Sequence, residues 1–585
     1  MRQQYAWRSK VLVGILAAVG LLILAQMIRI QSSKEADAFR QQADDYKHMW
    51  QTFYPERGEI YDRSGHLLAG NRMVYEVGLD LQSMDPEDAG TVAAEVSAQL
   101  GIDYNALLGE ISSPSEGRTF LVLADYVEST QALALQNIQK ERQEHAPAGR
   151  RDALYALTFR AHPQRSYPEG SLAANILGFV TREGRGYYGV EEKYNDLLAG
   201  NPVKVRVPTD PNEAVDIPHV PDGTTLVLTI NRDLQSAAEE LLDKSLDTYG
   251  ADNGTIIVMD PRSGEILAMA VTPRMDLNQF WNYGSVYNNA SEFNAAVTMP
   301  YEPGSVLKIL TMAAALDSGT VTPGTSFLDT GSIMVGGAII NNWDGGAWGP
   351  QDMTGCLQHS LNVCMAWIST SMGAGTFYGY MNRFGLGHLT GVDLSGEAAG
   401  RLKIPGDSDW YPVDLATNAF GQGVSATPLQ IMTAASSIAN GGRMVTPHVL
   451  YAMMREGRQY NVPTHYASSP IRPDTANTLS QMLAVSLEQE SSAALVPGYR
   501  MAGKTGTAQI PTDSGYYDET NTNASFIGWG PVDDPRFMIY VWLEKPSASI
   551  WGSETAAPVF SEMAKKATVL LDIPPDAVRQ QIASR

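Results

Sequence analysis

The 585-residue chain has little cysteine and little positive charge. Cys356 and Cys364 are its only cysteines, and no paired histidines stand beside them, so they do not indicate a zinc site. Its 42 lysines and arginines are outnumbered by 64 aspartates and glutamates, and the formal net charge of −22 argues against a nucleic-acid partner. With 44% hydrophobic and 18% charged residues the chain is globular rather than disordered, and its length predicts two or more domains.

Targeting signals are absent apart from the N-terminus. There an uncharged run from Val11 to Ile28 follows three basic residues, Arg2, Arg8 and Lys10. Its 18 residues are just enough for a helix to span the bilayer hydrocarbon. No convincing small-x-small cleavage site is present, so we predict an uncleaved anchor rather than a cleaved signal peptide. The basic residues keep the N-terminus in the cytoplasm, so everything after about residue 29 is expected outside.

The state of the two cysteines is open at the level of sequence. On one continuous helix, Cys356 and Cys364 would lie ~12 Å apart, too far for a disulfide. A turn between them would bring them together, and a location outside the cytoplasm would permit the bond.

Lys308 is the only lysine in the chain with a serine three residues before it. Pro303-Gly304 and Asp317-Ser318-Gly319 mark the ends of a helix that is apolar on nearly every side. A lysine in such a helix is buried, its pKa is lowered, and it can take the proton of the neighbouring Ser305 hydroxyl. In the alternative, Ser305 caps the helix while Lys308 extends to the surface, and this stretch alone does not decide between the two.

Two further short patterns follow in the sequence. Ser360-Leu361-Asn362 is its only Ser-x-Asn, and Lys504-Thr505-Gly506-Thr507 contains its only lysine followed by threonine. Each pattern is weak alone. In the order Ser-x-x-Lys, Ser-x-Asn, Lys-Thr-Gly they form the catalytic set of penicillin-binding proteins and class A β-lactamases.

With these motifs the sequence resembles a class B penicillin-binding protein, a monofunctional peptidoglycan transpeptidase, over nearly the whole chain. Arg57 to Ala69 resembles the first signature of the non-catalytic region of that class, and Gly189-Val190-Glu191 resembles a later one. Gly421-Gln422-Gly423 matches a recurrent segment of the transpeptidase domain. We expect no glycosyltransferase domain, and this separates the chain from class A.

The expected fold is α+β. Strands are predicted on both sides of a helical segment at about 304–440, which favours an antiparallel sheet with helices on both of its sides. The domain boundaries are predicted as a cytoplasmic N-terminus at 1–10, a transmembrane anchor at 11–30, an elongated mixed pedestal domain at 31–220, a transpeptidase domain at 221–575 and a tail at 576–585. Residues 31 to about 55 are polar and compatible with a helical stalk.

The resemblance implies a role for each motif residue. Ser305 would be the nucleophile, Lys308 its base, Ser360 a proton relay, and Asn362 a hydrogen-bonding partner of Lys308 and of the substrate. Lys504 would add positive charge, while Thr505, Gly506 and Thr507 would form the substrate-binding strand. No metal or organic cofactor is expected. The implied partners are donor and acceptor stem peptides, β-lactams, the cytoplasmic membrane and a SEDS-family glycosyltransferase.

Two rival functions share parts of this pattern. A D,D-carboxypeptidase or β-lactamase would hydrolyse the acyl-enzyme, but we find no convincing Glu-x-x-x-Asn-like element between Ser360 and Lys504 to activate water. A non-catalytic penicillin-binding scaffold would not need the intact set of motif residues. Both are therefore disfavoured relative to a transpeptidase.

Overall fold

The computed structural model describes the chain apart from residues 1, 34–36, 39–46, 116, 148, 210–219, 288–291, 491, 512–516 and 585. Its internal contacts divide the chain into two compact units. The first unit combines Met1–Glu56 with Gly200–Gly223, and the second combines Arg57–Ala199 with Thr224–Arg585. The second unit therefore contains most of the predicted pedestal segment as well as the predicted transpeptidase segment.

The first unit contains a long apolar helix and a two-stranded sheet. The helix is Arg2–Gln31, and an 18-residue window within Trp7–Gln31 has a mean hydropathy of 2.7 with none of it buried, so it is long and apolar enough to cross a membrane. Strands His48–Phe53 and Val203–Pro208 pair antiparallel. The predicted helical stalk is therefore wrong at residues 48–53, because pairing with a distant strand overrides the local pattern.

The central sheet of the second unit has five strands and is antiparallel throughout. In order across the sheet the strands are Ile266–Val271, Asn253–Met259, Phe537–Glu544, Tyr517–Gly530 and Ala502–Pro511. Strands from residues 253–271 thus pair with strands from residues 502–544. This confirms the predicted sheet built from distant pieces of the chain.

Helices cover both faces of the central sheet, because successive side chains of a strand point to opposite faces. Ile256 packs with side chains of helices Arg232–Tyr249 and Ala556–Leu570 on one face. Ile257, the next residue, belongs to the larger cluster on the other face, which includes the buried side chains of helix Lys308–Asp317. The α+β fold with an antiparallel sheet between helices is therefore confirmed.

Helices predominate between the two halves of the sheet, as the sequence predicts. The helices are Lys308–Asp317, Met353–Gln358, Asn362–Met372, Ala374–Arg383, Asp414–Thr417, Pro428–Ala439 and Pro473–Glu490. Short antiparallel pairs interrupt them: Phe327–Asp329 with Gly349–Gln351, Ser332–Val335 with Ala338–Asn341, and Arg401–Leu402 with Val424–Ser425.

A second sheet, of seven strands, contains strands from both sides of residue 220. Its strands are Arg458–Asn461, Leu450–Arg455, Thr225–Leu228, Ile60–Tyr61, Leu67–Asp80 and Phe120–Glu128, with Leu157–Ser166 also paired to Leu67–Asp80. Helices Ala89–Leu100, Tyr104–Ser112 and Ser129–Glu144 pack on its N-terminal part. The domain boundary near residue 220 stays a prediction.

The segment resembling the first class B signature forms a hairpin of this sheet. Ile60 lies opposite Ala69 across the hairpin. The Asp62 carboxylate closes the turn by accepting hydrogen bonds from the backbone N–H groups of Ser64 and His66, at 2.8 and 2.7 Å.

A buried ion-pair network ties this hairpin to the segment resembling the later signature. Glu191 is fully buried, and its carboxylate accepts from Arg57 Nε at 2.8 Å and from Arg165 Nε at 2.7 Å. The side chains of the two arginines are 9% and 1% exposed. One carboxylate therefore compensates two buried guanidinium groups.

Replacing Glu191→Gln should destabilise the protein strongly, because both arginines would remain buried without a counter-charge. We expect the free energy of unfolding to fall by about 3–5 kcal/mol. Chemical denaturation measures this loss. The matched control is Glu128→Gln, whose partner Arg72 lies 2.6 Å away on the surface and whose own side chain is 50% exposed. The control should lose less than about 1 kcal/mol, and equal losses in both variants would contradict the prediction.

Candidate active site

Ser305 lies in a tight turn at the start of the helix predicted around Lys308. Residues Gly304–Leu307 form a 3₁₀ turn, here called the serine turn, and helix Lys308–Asp317 continues from it. Gly304 has φ +60°, and a Cβ there would lie 2.9 Å from the carbonyl oxygen of Thr507. Glycine is thus required where the serine turn approaches the strand of the Lys-Thr-Gly motif.

Lys308 is fully buried and holds the Ser-x-Asn motif. Its Nζ donates to the Ser360 carbonyl oxygen at 2.6 Å, to Ser360 Oγ at 3.1 Å and to Asn362 Oδ1 at 2.8 Å. Burial, together with the nearby charge of Lys504, holds the pKa of Lys308 well below its usual range. The alternative in which Lys308 extends to the surface is wrong, because none of the residue is exposed.

Ser360 and Asn362 lie where one helix ends and the next begins. Ser360 has φ +53°, and the chain turns there between helices Met353–Gln358 and Asn362–Met372. The turn brings the α-carbons of Cys356 and Cys364 to 6.1 Å, and the two residues form a disulfide. The question that the sequence leaves open is therefore settled by the break between the helices. The disulfide brackets both polar residues of the motif.

The Lys-Thr-Gly motif lies on the edge strand of the central sheet, Ala502–Pro511. Lys504 is 5% exposed, and its Nζ lies 3.2 Å from Thr505 Oγ1. Burial lowers the pKa of Lys504 to about 8, although the negative charge of Glu490 opposes the shift. A Cβ on Gly506 would lie 3.0 Å from Val306 Cγ1 and 2.3 Å from Ser525 Oγ, so the strand packs directly on the serine turn.

A cleft of about 870 Å³ brings the three motifs together. Six of the eight predicted site residues line it: Ser305, Ser360, Asn362, Lys504, Thr505 and Thr507. The other two lie outside the lining. Lys308 is buried beneath it, and Gly506 packs against the serine turn. The part of the chain that the structure describes holds no group of histidine, cysteine and carboxylate side chains suited to a metal ion.

Most of the chain matches the sequence models of two known domains. The penicillin-binding protein transpeptidase domain matches residues 254–565, and the penicillin-binding protein dimerisation domain matches residues 52–216. The chain belongs to the class B penicillin-binding proteins. The family predicted from the three motifs is therefore confirmed.

Individual relatives are similar to this penicillin-binding protein over most of their length. Stage V sporulation protein D of Bacillus subtilis is 33% identical, covering 89% of this chain and 79% of the relative. The probable peptidoglycan D,D-transpeptidase PenA of Neisseria meningitidis is 26% identical, covering 92% and 88%. The crystal structure of penicillin-binding protein 3 of Mycobacterium tuberculosis complexed with aztreonam is similar with a TM-score of 0.68 at 26% identity, covering 90% and 98%.

The cleft of this penicillin-binding protein also contains aromatic side chains that the motifs do not predict. Trp343 and Trp551 meet edge to face with their ring centroids 5.1 Å apart, and Trp348 stacks on His359 at 4.1 Å. The sequence signal for two of them is the segment 341–349, in which two tryptophans stand among glycines, asparagines and an aspartate. Such a composition indicates a surface loop, but it does not reveal which wall of a cleft the loop forms.

Proposed function

We propose that this protein is a serine-type peptidoglycan D,D-transpeptidase that is covalently inhibited by β-lactams. The observation that carries the proposal is the buried Lys308 amine, which Ser360 and Asn362 hold beneath the cleft that Ser305 lines. A lysine with a lowered pKa near a serine at a helix start is the arrangement of a base with its nucleophile. The names of the Neisseria relative and of the aztreonam complex support the reaction and the inhibitor class.

In the first half-reaction Ser305 attacks the penultimate D-Ala carbonyl carbon of a donor stem peptide. Neutral Lys308 accepts the Oγ proton as the new C–O bond forms. The backbone N–H groups of Ser305 and Thr507 stabilise the oxyanion. The amide C–N bond then breaks, Ser360 relays the proton from Lys308 to the departing D-Ala amine, and an ester on Ser305 remains.

The substrate's terminal carboxylate is held by the Lys-Thr-Gly strand. Lys504 supplies positive charge, and the hydroxyls of Thr505 and Thr507 donate hydrogen bonds to the carboxylate. The Asn362 amide hydrogen-bonds a substrate amide while its oxygen accepts from Lys308. These contacts orient the carbonyl carbon toward Ser305.

In the second half-reaction the acceptor amine of another stem peptide attacks the ester carbon. The amine gives a proton to Lys308, the ester C–O bond breaks, and Ser305 Oγ regains the proton. The product is a cross-link between two strands. A hydrolase would differ only in using water as the acceptor, so the lifetime of the acyl-enzyme distinguishes the two functions.

Labelling with a fluorescent penicillin tests the nucleophile. The wild-type protein should form a stable covalent label, and Ser305→Ala should form none, because the variant lacks the hydroxyl that is proposed as the nucleophile. A thermal melt of Ser305→Ala controls for folding. A label that forms and disappears quickly would support the hydrolase instead. A folded wild-type protein without any label would contradict the proposal.

The rate of acylation should depend on pH in a bell shape. The acidic limb rises through the lowered pKa of Lys308, because only the neutral amine accepts the Ser305 proton. The basic limb should fall near pH 8, where Lys504 loses the charge that holds the carboxylate. The second-order rate constant of penicillin acylation, measured between about pH 5 and pH 10, reports both limbs. A rate that still rises up to the ordinary pKa of lysine would contradict the role of Lys308.

The helix Trp7–Gln31 is proposed as a single-pass anchor in the cytoplasmic membrane, with the N-terminus in the cytoplasm and the catalytic unit outside. A SEDS-family glycosyltransferase is the proposed membrane partner. Protease added to intact spheroplasts should digest the catalytic unit, while a cytoplasmic marker protein should survive. Protection of the catalytic unit until the membrane is lysed would contradict this orientation.

A further inference from the structure

The Ser-x-Asn motif is enclosed by a loop to which the reaction assigns no role. This segment, which consists of Asn341 at the end of strand Ala338–Asn341 and the loop 342–348, is here called the tryptophan loop. It makes one contact with the motif itself and three with the residues on either side of the motif. The Asn341 carbonyl accepts from Asn362 Nδ2 at 3.3 Å, and Asn342 Oδ1 accepts from the Val363 N–H at 3.2 Å. On the other side, Trp343 Nε1 donates to the His359 carbonyl at 3.1 Å, and the Trp348 ring stacks on His359.

The Asn341 carbonyl fixes which way the Asn362 amide points. An amide has an acceptor oxygen on one side and a donor NH₂ on the other. Because the NH₂ donates to Asn341, the oxygen must face Lys308 Nζ, 2.8 Å away. A rotated amide would present its NH₂ to a lysine, and two donors would then face each other. The orientation of Asn362 therefore depends on the position of residue 341.

A buried carboxylate holds the tryptophan loop in place. Asp329 is 2% exposed, and its Oδ2 accepts from Asn342 Nδ2 and from the Trp348 N–H, both at 2.8 Å. Asn342 is 4% exposed, and its Nδ2 also donates to the Gly346 carbonyl at 3.0 Å. Among the described residues, no lysine or arginine forms an ion pair with Asp329, and its hydrogen bonds come from N–H groups. Its charge is compensated by N–H donors of this one loop and of Gly331.

We propose that Asp329 and Asn342 are positioning residues of the acylation reaction, which act through the tryptophan loop to orient Asn362 and Ser360 toward Lys308. The two residues are called the Asp329 node. Asn342 accepts a hydrogen bond from the backbone N–H of Val363, which follows Asn362. The Trp348 N–H donates to Asp329, and the Trp348 ring stacks on His359, which precedes Ser360. The inference rests on the proposed function, because it assumes that Lys308 is the base for Ser305.

The consequence for Lys308 can be observed in solution. When Asn362 Oδ1 accepts from Lys308, it stabilises the charged form of the amine. If substitution of the Asp329 node moves Asn362 away, Lys308 loses this acceptor. The pKa of Lys308 should then fall further, and the acidic limb of the acylation rate should move to lower pH. At the same time the plateau rate should fall by about 10- to 100-fold, since displacements of about 1 Å have effects of this size.

Asn342→Ala is the primary test, because it removes the contacts to Val363, Asp329 and Gly346 without introducing a charge. Asp329→Ser is the second variant. The matched control is Asp393→Ala, which removes a carboxylate that accepts from the backbone N–H groups of Val449 and Leu450 at 2.7 and 2.9 Å, outside the cleft. All are made in the full chain, and thermal melts establish which are folded.

Stopped-flow acylation by a fluorescent penicillin across the pH range separates positioning from stability. A merely structural role would reduce the fraction of protein that labels at saturation and leave the rate constant and pH profile of that fraction unchanged. We expect Asn342→Ala and Asp329→Ser to acylate slowly with a displaced acidic limb, and Asp393→Ala to keep the wild-type profile.

Three outcomes would overturn the inference. The first is an acidic limb at the wild-type pH in the folded node variants, and the second is an acylation rate constant within twofold of that of Asp393→Ala. The third is failure of both node variants to fold, which would assign the node to stability alone. Failure of the proposed function is recognised separately, because the wild-type protein would then show no Ser305-dependent label or no acidic limb below the ordinary lysine range.

Discussion

An ammonium group loses several kcal/mol of hydration free energy when protein replaces the water around it, unless acceptors compensate the loss. Lys308 is completely buried, and its acceptors come from one short turn, Ser360 to Asn362. The position of the lysine thus requires this turn to lie within hydrogen-bonding distance. The acceptors of the turn compensate the hydration that the lysine loses. The apolar helix, the helix break and the cleft are arranged around this one desolvated group.

Close backbone packing is the second requirement of the site. A Cβ on Gly421 would lie 2.1 Å from the Gly304 carbonyl oxygen, and a Cβ on Gly552 would lie 2.2 Å from the Gly506 carbonyl oxygen. The serine turn and the Lys-Thr-Gly strand are therefore each approached by another backbone segment at a distance that leaves no room for a side chain. Contacts between main-chain atoms thus fix the relative positions of segments that are far apart in the chain. Local side-chain propensities do not predict such contacts.

The three motifs predict the chemistry of the site because their residue types and order are specific. The apolar residues around Lys308 in the sequence are compatible with its burial, but they fit a lysine that extends to the surface as well, and the structure decides between the two. The Asp329 node is not predictable, because an aspartate in a turn-rich segment ordinarily faces water. Asp329 accepts hydrogen bonds from Trp348 and Asn342, and Asn342 in turn contacts the start of helix Asn362–Met372, so these contacts depend on tertiary structure. Residues 48–53 form a strand instead of the predicted helical stalk for a related reason, since the partner strand lies in a distant part of the chain.

The disulfide has a consequence for how the chain matures. Two cysteines permit a single intramolecular pairing, so no scrambled isomer of this protein exists that would need reshuffling. A competing protein disulfide has to join two separate chains. Cys356 and Cys364 are both fully buried. In a chain that folds before its thiols are oxidised, the thiols are therefore inaccessible to oxidants. The bond therefore forms before this region packs or when the region opens transiently, and its timing, rather than its connectivity, decides whether it is made.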